Sequence, residues 1–150
     1  MDKIKRIQPI DPRTQNDLMA IWESAVAATH SFLTKKEITE LIPEVKEALI
    51  EVELLYGYYD PTLIGFIGIE KEKVEMLFID AASRGKGIGT KLLQYALGDG
   101  HVRFIDVNEE NEKALGFYQH MGFQIIGRSE TDEQGNPYPI LHLKKANLEL

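Results

Sequence analysis

Three glycines alternate with charged and apolar residues in the stretch Arg84-Gly85-Lys86-Gly87-Ile88-Gly89-Thr90, the glycine loop. An apolar run at residues 74–79 precedes it and a helical apolar pattern follows it, which is typical of a strand-to-helix turn. Glycine tolerates a positive φ, and the first N–H groups of a helix have no intrahelical acceptor and can bind an anion. Arg84 and Lys86 add positive charge. The pattern predicts a phosphate-binding loop, with a tight turn that holds no ligand as the alternative.

Composition limits the classes of function. The chain has 17 Lys and Arg against 24 Asp and Glu, a formal net charge of −7, which argues against non-specific nucleic-acid binding. It has no apolar run of about 18 residues and no signal-peptide core, so we expect no membrane partner and a cytoplasmic location. The absence of cysteine excludes thiol chemistry, and the four histidines lack metal-ligand spacing, so no metal is expected. The 150 residues predict a single domain, 1–150.

Hydrophobic periodicity indicates the elements that position the loop. A strand at 3–9 precedes a helix that Thr14 or Asn16 would cap. A capping box, Thr34 with Glu37, opens a second helix, which Pro43 should kink or divide. The link between these helices contains His30. The pattern predicts that the two helices either form a lid or simply pack on a sheet.

The remaining elements follow from short turns and helical repeats. Runs at 53–59, 63–69 and 74–79 predict an antiparallel meander, and 102–107 predicts a strand parallel to 74–79 after a helical crossover at 91–97. We expect a helix at 108–121, a hairpin of 123–127 with 138–143, and a loosely held tail at 146–150.

Two motifs in this order carry a family resemblance. The glycine loop is similar to the signature Q/R-x-x-G-x-G/A, with Arg84, Gly87 and Gly89 at the matching positions. The run from Asn108 to Phe123 matches Asn-x-x-Asn-x-x-Ala-x-x-Phe-Tyr-x-x-x-Gly-Phe. Together they resemble the GNAT superfamily of acyl-CoA-dependent N-acetyltransferases, small stand-alone bacterial type, over residues 54–143.

The resemblance implies both a fold and a reaction. The fold is α/β, with a mixed, mostly antiparallel sheet of about seven strands, one splayed parallel pair (74–79 and 102–107) and helices on both faces. The reaction moves an acetyl group from acetyl-CoA to a primary amine by direct attack in a ternary complex. The alternatives are a non-catalytic acyl-CoA-binding sensor or regulatory module and a nucleotide or other phosphate binder. The acceptor is a small-molecule amine or a protein amine, and a homodimer is possible.

The resemblance also implies which residues bind the cofactor. The pyrophosphate would lie on the backbone amides of the glycine loop, and the pantetheine arm beside the strand that precedes it. Asn108 and Asn111 match positions near the cofactor, and Asn111 could equally cap a helix. The full predicted set is Leu77, Phe78, Ile79, Arg84, Gly85, Lys86, Gly87, Ile88, Gly89, Thr90, Asn108 and Asn111.

Three residues are candidates for proton transfer. Tyr118 occupies the position that the family uses for the acid that protonates the leaving thiolate, although a purely structural role as a core aromatic is the alternative. Glu75, on the cofactor strand, is a candidate base. His30 has a side chain of suitable pKa and is a candidate for substrate contact or base catalysis. His142, on the last strand, could also face the site.

Overall fold

A computed structural model describes residues 3–29, 33–133 and 135–146, and the chain forms two compact units, residues 1–102 and 103–150. The strands are Ile4–Arg6 (β1), Leu54–Tyr59 (β2), Leu63–Glu70 (β3), Lys73–Ile79 (β4), Phe104–Asn108 (β5), Phe123–Ser129 (β6) and Ile140–Lys145 (β7). The α-helices are Pro12–Thr29 (α1), Lys35–Glu51 (α2), Ile88–Gly98 (α3) and Glu112–His120 (α4). The strands form one seven-stranded, mostly antiparallel sheet with one parallel pair, so the predicted fold class is confirmed. The splay of that pair and the single-domain organisation stay predictions.

The N-terminal unit contains the predicted meander. Each of β1, β2 and β3 pairs antiparallel with the next strand. Between β3 and β4 the register shifts, because Val74 opposes Ile69 while Met76 opposes Gly68. Glu75 is therefore the extra residue of a β-bulge, which disrupts the ladder and twists the strand locally.

The first helix begins earlier than the sequence predicts. Pro12 is its first residue, and the Asp11 carboxylate accepts a hydrogen bond of 2.8 Å from the backbone N–H of Thr14. Proline suits the first helical position because its φ is preset and its missing N–H needs no acceptor there. The prediction that Thr14 or Asn16 caps this helix is therefore wrong, and Asp11 has that role.

The capping box of α2 is confirmed. The Thr34 side chain accepts from the N–H of Glu37 at 3.1 Å, and the Glu37 side chain accepts from the N–H of Thr34 at 3.0 Å. Pro43 does not divide the helix, which is continuous over Lys35–Glu51. Proline removes one hydrogen bond to the carbonyl of Thr39, but Thr39 is exposed, so water can solvate that carbonyl. Packing of the apolar face of α2 on the core holds the remaining turns in place.

Two apolar groups form the core of the N-terminal unit. One joins the helices α1 and α2 to the sheet and includes Leu18, Trp22, Leu49, Phe66 and Met76. The other comes from α3, whose Leu92, Leu93 and Ala96 are fully buried. These groups fix the position of β4 and of α3, the two elements that flank the glycine loop.

The C-terminal unit is a three-stranded antiparallel arrangement in the order β5, β7, β6, with one helix, α4. The predicted hairpin of β6 and β7 is confirmed. The helix begins at Glu112 instead of at residue 108, because Asn111 is its N-cap. The tail prediction falls mostly on residues 147–150, which lie outside the described residues. Across the described ranges, none of the helices has the length and apolar character needed to cross a bilayer.

Candidate active site

The glycine loop begins after a short 3-10 turn, Ala81–Ser83, that follows β4. The N–H of Ala81 donates to the Ser24 hydroxyl on α1 at 2.9 Å, so the entrance to the loop is tied to the helical layer. Ser83 and Ile88 are buried, whereas the residues between them are exposed. The loop is therefore anchored at both ends and open in its middle.

Two glycines of the loop have backbone conformations that favour glycine. Gly85 has φ +81° and Gly87 has φ +76°, both in the left-handed region. No heavy atom lies within 4 Å of the position that a Cβ would take at either residue. The conformation, and not crowding by the described residues, accounts for glycine at these two positions.

The loop presents a row of backbone donors. Gly87 is the N-cap of α3 and has no side chain to cap the helix, and the first intrahelical bond runs from the N–H of Lys91 to the carbonyl of Gly87 at 3.1 Å. Within the described ranges, the N–H groups of residues 85–90 have no backbone or side-chain acceptor. The exposed side chains of Arg84 and Lys86 add two cations. An anion with several oxygens, such as a pyrophosphate, fits this donor set.

The strand β4 places the next group of predicted residues. Leu77, Phe78 and Ile79 are half-buried, and they oppose Ile67, Phe66 and Gly65 of β3. Glu75 is exposed at the bulge of the same strand. The structure therefore brings Glu75, the three strand residues and the glycine loop together in the N-terminal unit. His30, the other candidate from the N-terminal region, lies outside the described residues.

Asn108 and Asn111 lie in the C-terminal unit at the link between β5 and α4. The Asn108 side-chain oxygen accepts from the N–H of Glu110 at 2.9 Å, and that of Asn111 accepts from the N–H of Ala114 at 3.2 Å. Asn111 therefore caps α4, which was one of its two predicted roles. Among the described residues, both side-chain amide nitrogens are without an acceptor, so each remains a donor.

An ion pair holds this link against β6. The Arg128 guanidinium donates to both carboxylate oxygens of Glu109, at 2.6 and 3.1 Å. The same contact keeps the pKa of Glu109 below its ordinary value. The pair is exposed to solvent, so it orients the link more than it stabilises the fold.

Tyr118 is buried on α4, with its ring packed near Phe117 and edge-on to Phe123. Burial raises the pKa of its hydroxyl well above the ordinary value. The hydroxyl is protonated at neutral pH, as in an ordinary tyrosine, so it is not a resting phenolate base. No hydrogen-bond partner of this hydroxyl is found in the part of the chain that the structure describes.

One cluster was not predicted. Asp106 on β5 contacts His142 on β7, and His142 contacts Ser129 on β6. The available signal was a histidine within an apolar strand. The predicted hairpin places β6 beside β7, but the pairing of β7 with β5 does not follow from chain order, so the contact of His142 with Asp106 was not evident. Within the described residues, no group of acidic residues and histidines could hold a metal ion.

Comparison with known proteins decides the family. A model of the acetyltransferase (GNAT) domain matches residues 19–139. The chain belongs to the GNAT acetyltransferase family. The predicted family, enzyme class and N-acetyltransferase function are thereby confirmed.

Similar GNAT proteins include peptidyl-lysine N-acetyltransferase YjaB of Salmonella typhimurium, 42% identical over 84% of this chain and 88% of that protein. The Escherichia coli protein of the same name is 41% identical over 85% of this chain and 87% of that protein. The solution structure of apo YjaB from E. coli superposes with a TM-score of 0.84 at 37% identity, covering 96% of this chain and 97% of the other. The PaiA N-acetyltransferase of Thermoplasma acidophilum, solved with coenzyme A, shares the fold at 22% identity and a TM-score of 0.70, over 96% and 99% of the two chains.

Proposed function

We propose that this GNAT enzyme acetylates the ε-amino group of lysine side chains in proteins, with acetyl-CoA as donor and direct attack of the amine in a ternary complex. The observation that carries the choice of acceptor is the 42% identity, over most of both chains, to a protein named for peptidyl-lysine acetylation. Direct attack is favoured over a route through an acyl-cysteine, because this sequence contains no cysteine.

The donor set of the glycine loop supports binding of the CoA pyrophosphate. The loop has six consecutive N–H groups without acceptors in the described residues, and Arg84 and Lys86 lie beside them. This set of donors and cations suits a polyanion better than a neutral ligand. Leu77–Ile79 are proposed to lie beside the pantetheine arm, and the free amide nitrogens of Asn108 and Asn111 to donate to the cofactor or to water. When bound, acetyl-CoA supplies the activated acetyl group.

Two proton movements are needed from the protein. A lysine amine has a pKa of about 10.4, so its neutral form at pH 7 costs roughly 4–5 kcal/mol, and a base must offset this. Glu75, exposed on β4, is proposed as that base, and His30 as a contact of the acceptor. Tyr118 is proposed as the acid because it occupies the position in the second motif that the family uses for the acid, and its hydroxyl carries a proton at neutral pH.

The experiment compares three forms of one short peptide in a thiol-release assay with acetyl-CoA. The first peptide has a blocked N-terminus and a free lysine. The second has a free N-terminus and arginine in place of the lysine. The third has a blocked N-terminus and arginine in place of the lysine, so it contains no reactive amine. We expect turnover with the first peptide, with the acetyl group located on the lysine by mass spectrometry. Turnover of the second alone contradicts the lysine proposal. Turnover of polyamines without turnover of the first peptide also contradicts it.

A further inference from the structure

Three polar side chains of the C-terminal unit form a hydrogen-bonded chain across β5, β7 and β6. Nδ1 of His142 lies 2.8 Å from Oδ1 of Asp106, and Nε2 lies 2.6 Å from Oγ of Ser129. Asp106 directly opposes His142, while Ser129 opposes Ile140, two residues before His142 on the same strand. Since side chains alternate between the faces of a strand, all three emerge from one face.

The hydrogen bonds define the role of each group. A carboxylate only accepts, so the Asp106 contact requires a proton on Nδ1 of His142. In a neutral imidazole, Nε2 is then an acceptor, and the Ser129 hydroxyl must be its donor. This is the arrangement of nucleophile, base and orienting carboxylate found in serine acyl-transfer sites, which are recognised by geometry and not by chain order.

We propose that Ser129 is an acyl-accepting nucleophile, with His142 as its base and Asp106 as a positioning residue, for small acyl esters and thioesters. Ser129 Oγ forms a bond to the acyl carbon, and the bond from that carbon to the leaving oxygen or sulfur breaks. The hydroxyl proton passes to Nε2 of His142 and then to the leaving group. Water, activated in the same way, returns the serine and releases the acid.

The surroundings of the cluster allow a small reagent to reach it. The side chains of His142 and Asp106 are 36% and 25% exposed. The residue opposite His142 on β6 is Gly127, which has no side chain to cover the imidazole. Within the described C-terminal unit, β6 pairs with β7 alone, so the side of β6 that faces away from β7 is not covered by another strand of this unit.

The test incubates the whole protein with p-nitrophenyl acetate or, separately, with acetyl-CoA, and locates acetyl groups by peptide mass spectrometry. We expect acetyl-Ser129 in the wild type, none at this position in Ser129→Ala, and labelling at least about 100-fold slower in His142→Gln. Thr39→Ala is the matched control, since Thr39 is an exposed hydroxyl that donates to the carbonyl of Lys35 and has no imidazole beside it. It should label like the wild type.

Asp106→Asn tests the positioning role, because an amide no longer enforces the proton on Nδ1. Labelling of Ser129 should fall while the thermal midpoint and the peptide map at other sites stay unchanged, and Asp106→Glu should restore part of the rate. If p-nitrophenyl acetate alone labels Ser129, the site accepts acyl groups from esters. If acetyl-CoA also labels Ser129, the site accepts them from thioesters as well.

Wild-type protein that remains unlabelled at Ser129 with both reagents and with a fluorophosphonate contradicts the proposal without any variant. Labelling at an unchanged rate in a folded His142→Gln also contradicts it. Because the aryl ester needs no CoA site, its outcome is independent of whether lysine is the acceptor in the acetyltransferase reaction.

Discussion

Substitution of Gly87 by alanine should weaken both the fold and the binding of acetyl-CoA. Gly87 has φ +76° and open space where a Cβ would lie, so the cost is conformational. A left-handed non-glycine residue costs about 1–2 kcal/mol, and the less flexible unfolded chain returns about 0.4–1 kcal/mol. We expect a net loss of about 1 kcal/mol, which lowers the melting temperature of a chain of this size by about 2–4 °C.

Binding should suffer more than stability. If the alanine relaxes toward negative φ, the N–H groups at the start of α3 turn away from the proposed pyrophosphate position. A hydrogen bond to a charged group contributes about 1.5–3 kcal/mol, so the loss of one weakens binding roughly 10- to 100-fold. Calorimetry with CoA measures this change, and thermal unfolding with and without CoA measures the stabilisation by the ligand.

Gly98→Ala provides the matched control at the other end of the same helix. Gly98 is the last residue of α3, its φ is not in the left-handed region, and a Cβ there meets nothing within 4 Å. We expect its melting temperature and CoA affinity to equal or exceed those of the wild type. The reasoning fails if Gly87→Ala binds CoA as tightly as the wild type, or if both variants lose affinity equally.

Four further predictions concern the C-terminal unit. Tyr118→Phe should lower kcat by about 10²–10⁴-fold with little change in the KM for acetyl-CoA, measured by thiol release. Because burial raises the pKa of Tyr118 in the folded state, the free energy of unfolding should fall as the pH rises above about 10. Tyr118→Phe should reduce this fall in unfolding measured as a function of pH. An alkaline stability profile equal to that of the wild type contradicts this prediction. Asn111→Ala should cost about 1 kcal/mol by loss of the cap in thermal unfolding, whereas Asn111→Asp should retain stability. Arg128→Gln should flatten the loss of stability below about pH 4, because the contact lowers the pKa of Glu109 only in the folded state.

Local chemistry made the conformation of the glycine loop and the start of α2 predictable from the sequence. The glycines at positions 85 and 87 follow from positive φ, and the capping box of α2 from the reciprocal hydrogen bonds of Thr34 and Glu37. Each depends on residues within one or two turns of the chain. The start of α1 was the local exception, because Asp11 competes with Thr14 and Asn16 for the same role and the proline at position 12 settles it.

The sequence by itself determined the family, through its two motifs, and the meander of β2 to β4 and the turn from β4 into α3, since short turns and backbone preferences act between neighbours in the chain. The bulge at Glu75 depends on the register of two strands, which periodicity does not specify. Only the tertiary structure brought together Asp106, His142 and Ser129, because these contacts span 36 and 13 residues and depend on β7 lying between β5 and β6. The raised pKa of Tyr118 likewise depends on burial, which results from packing of the whole unit.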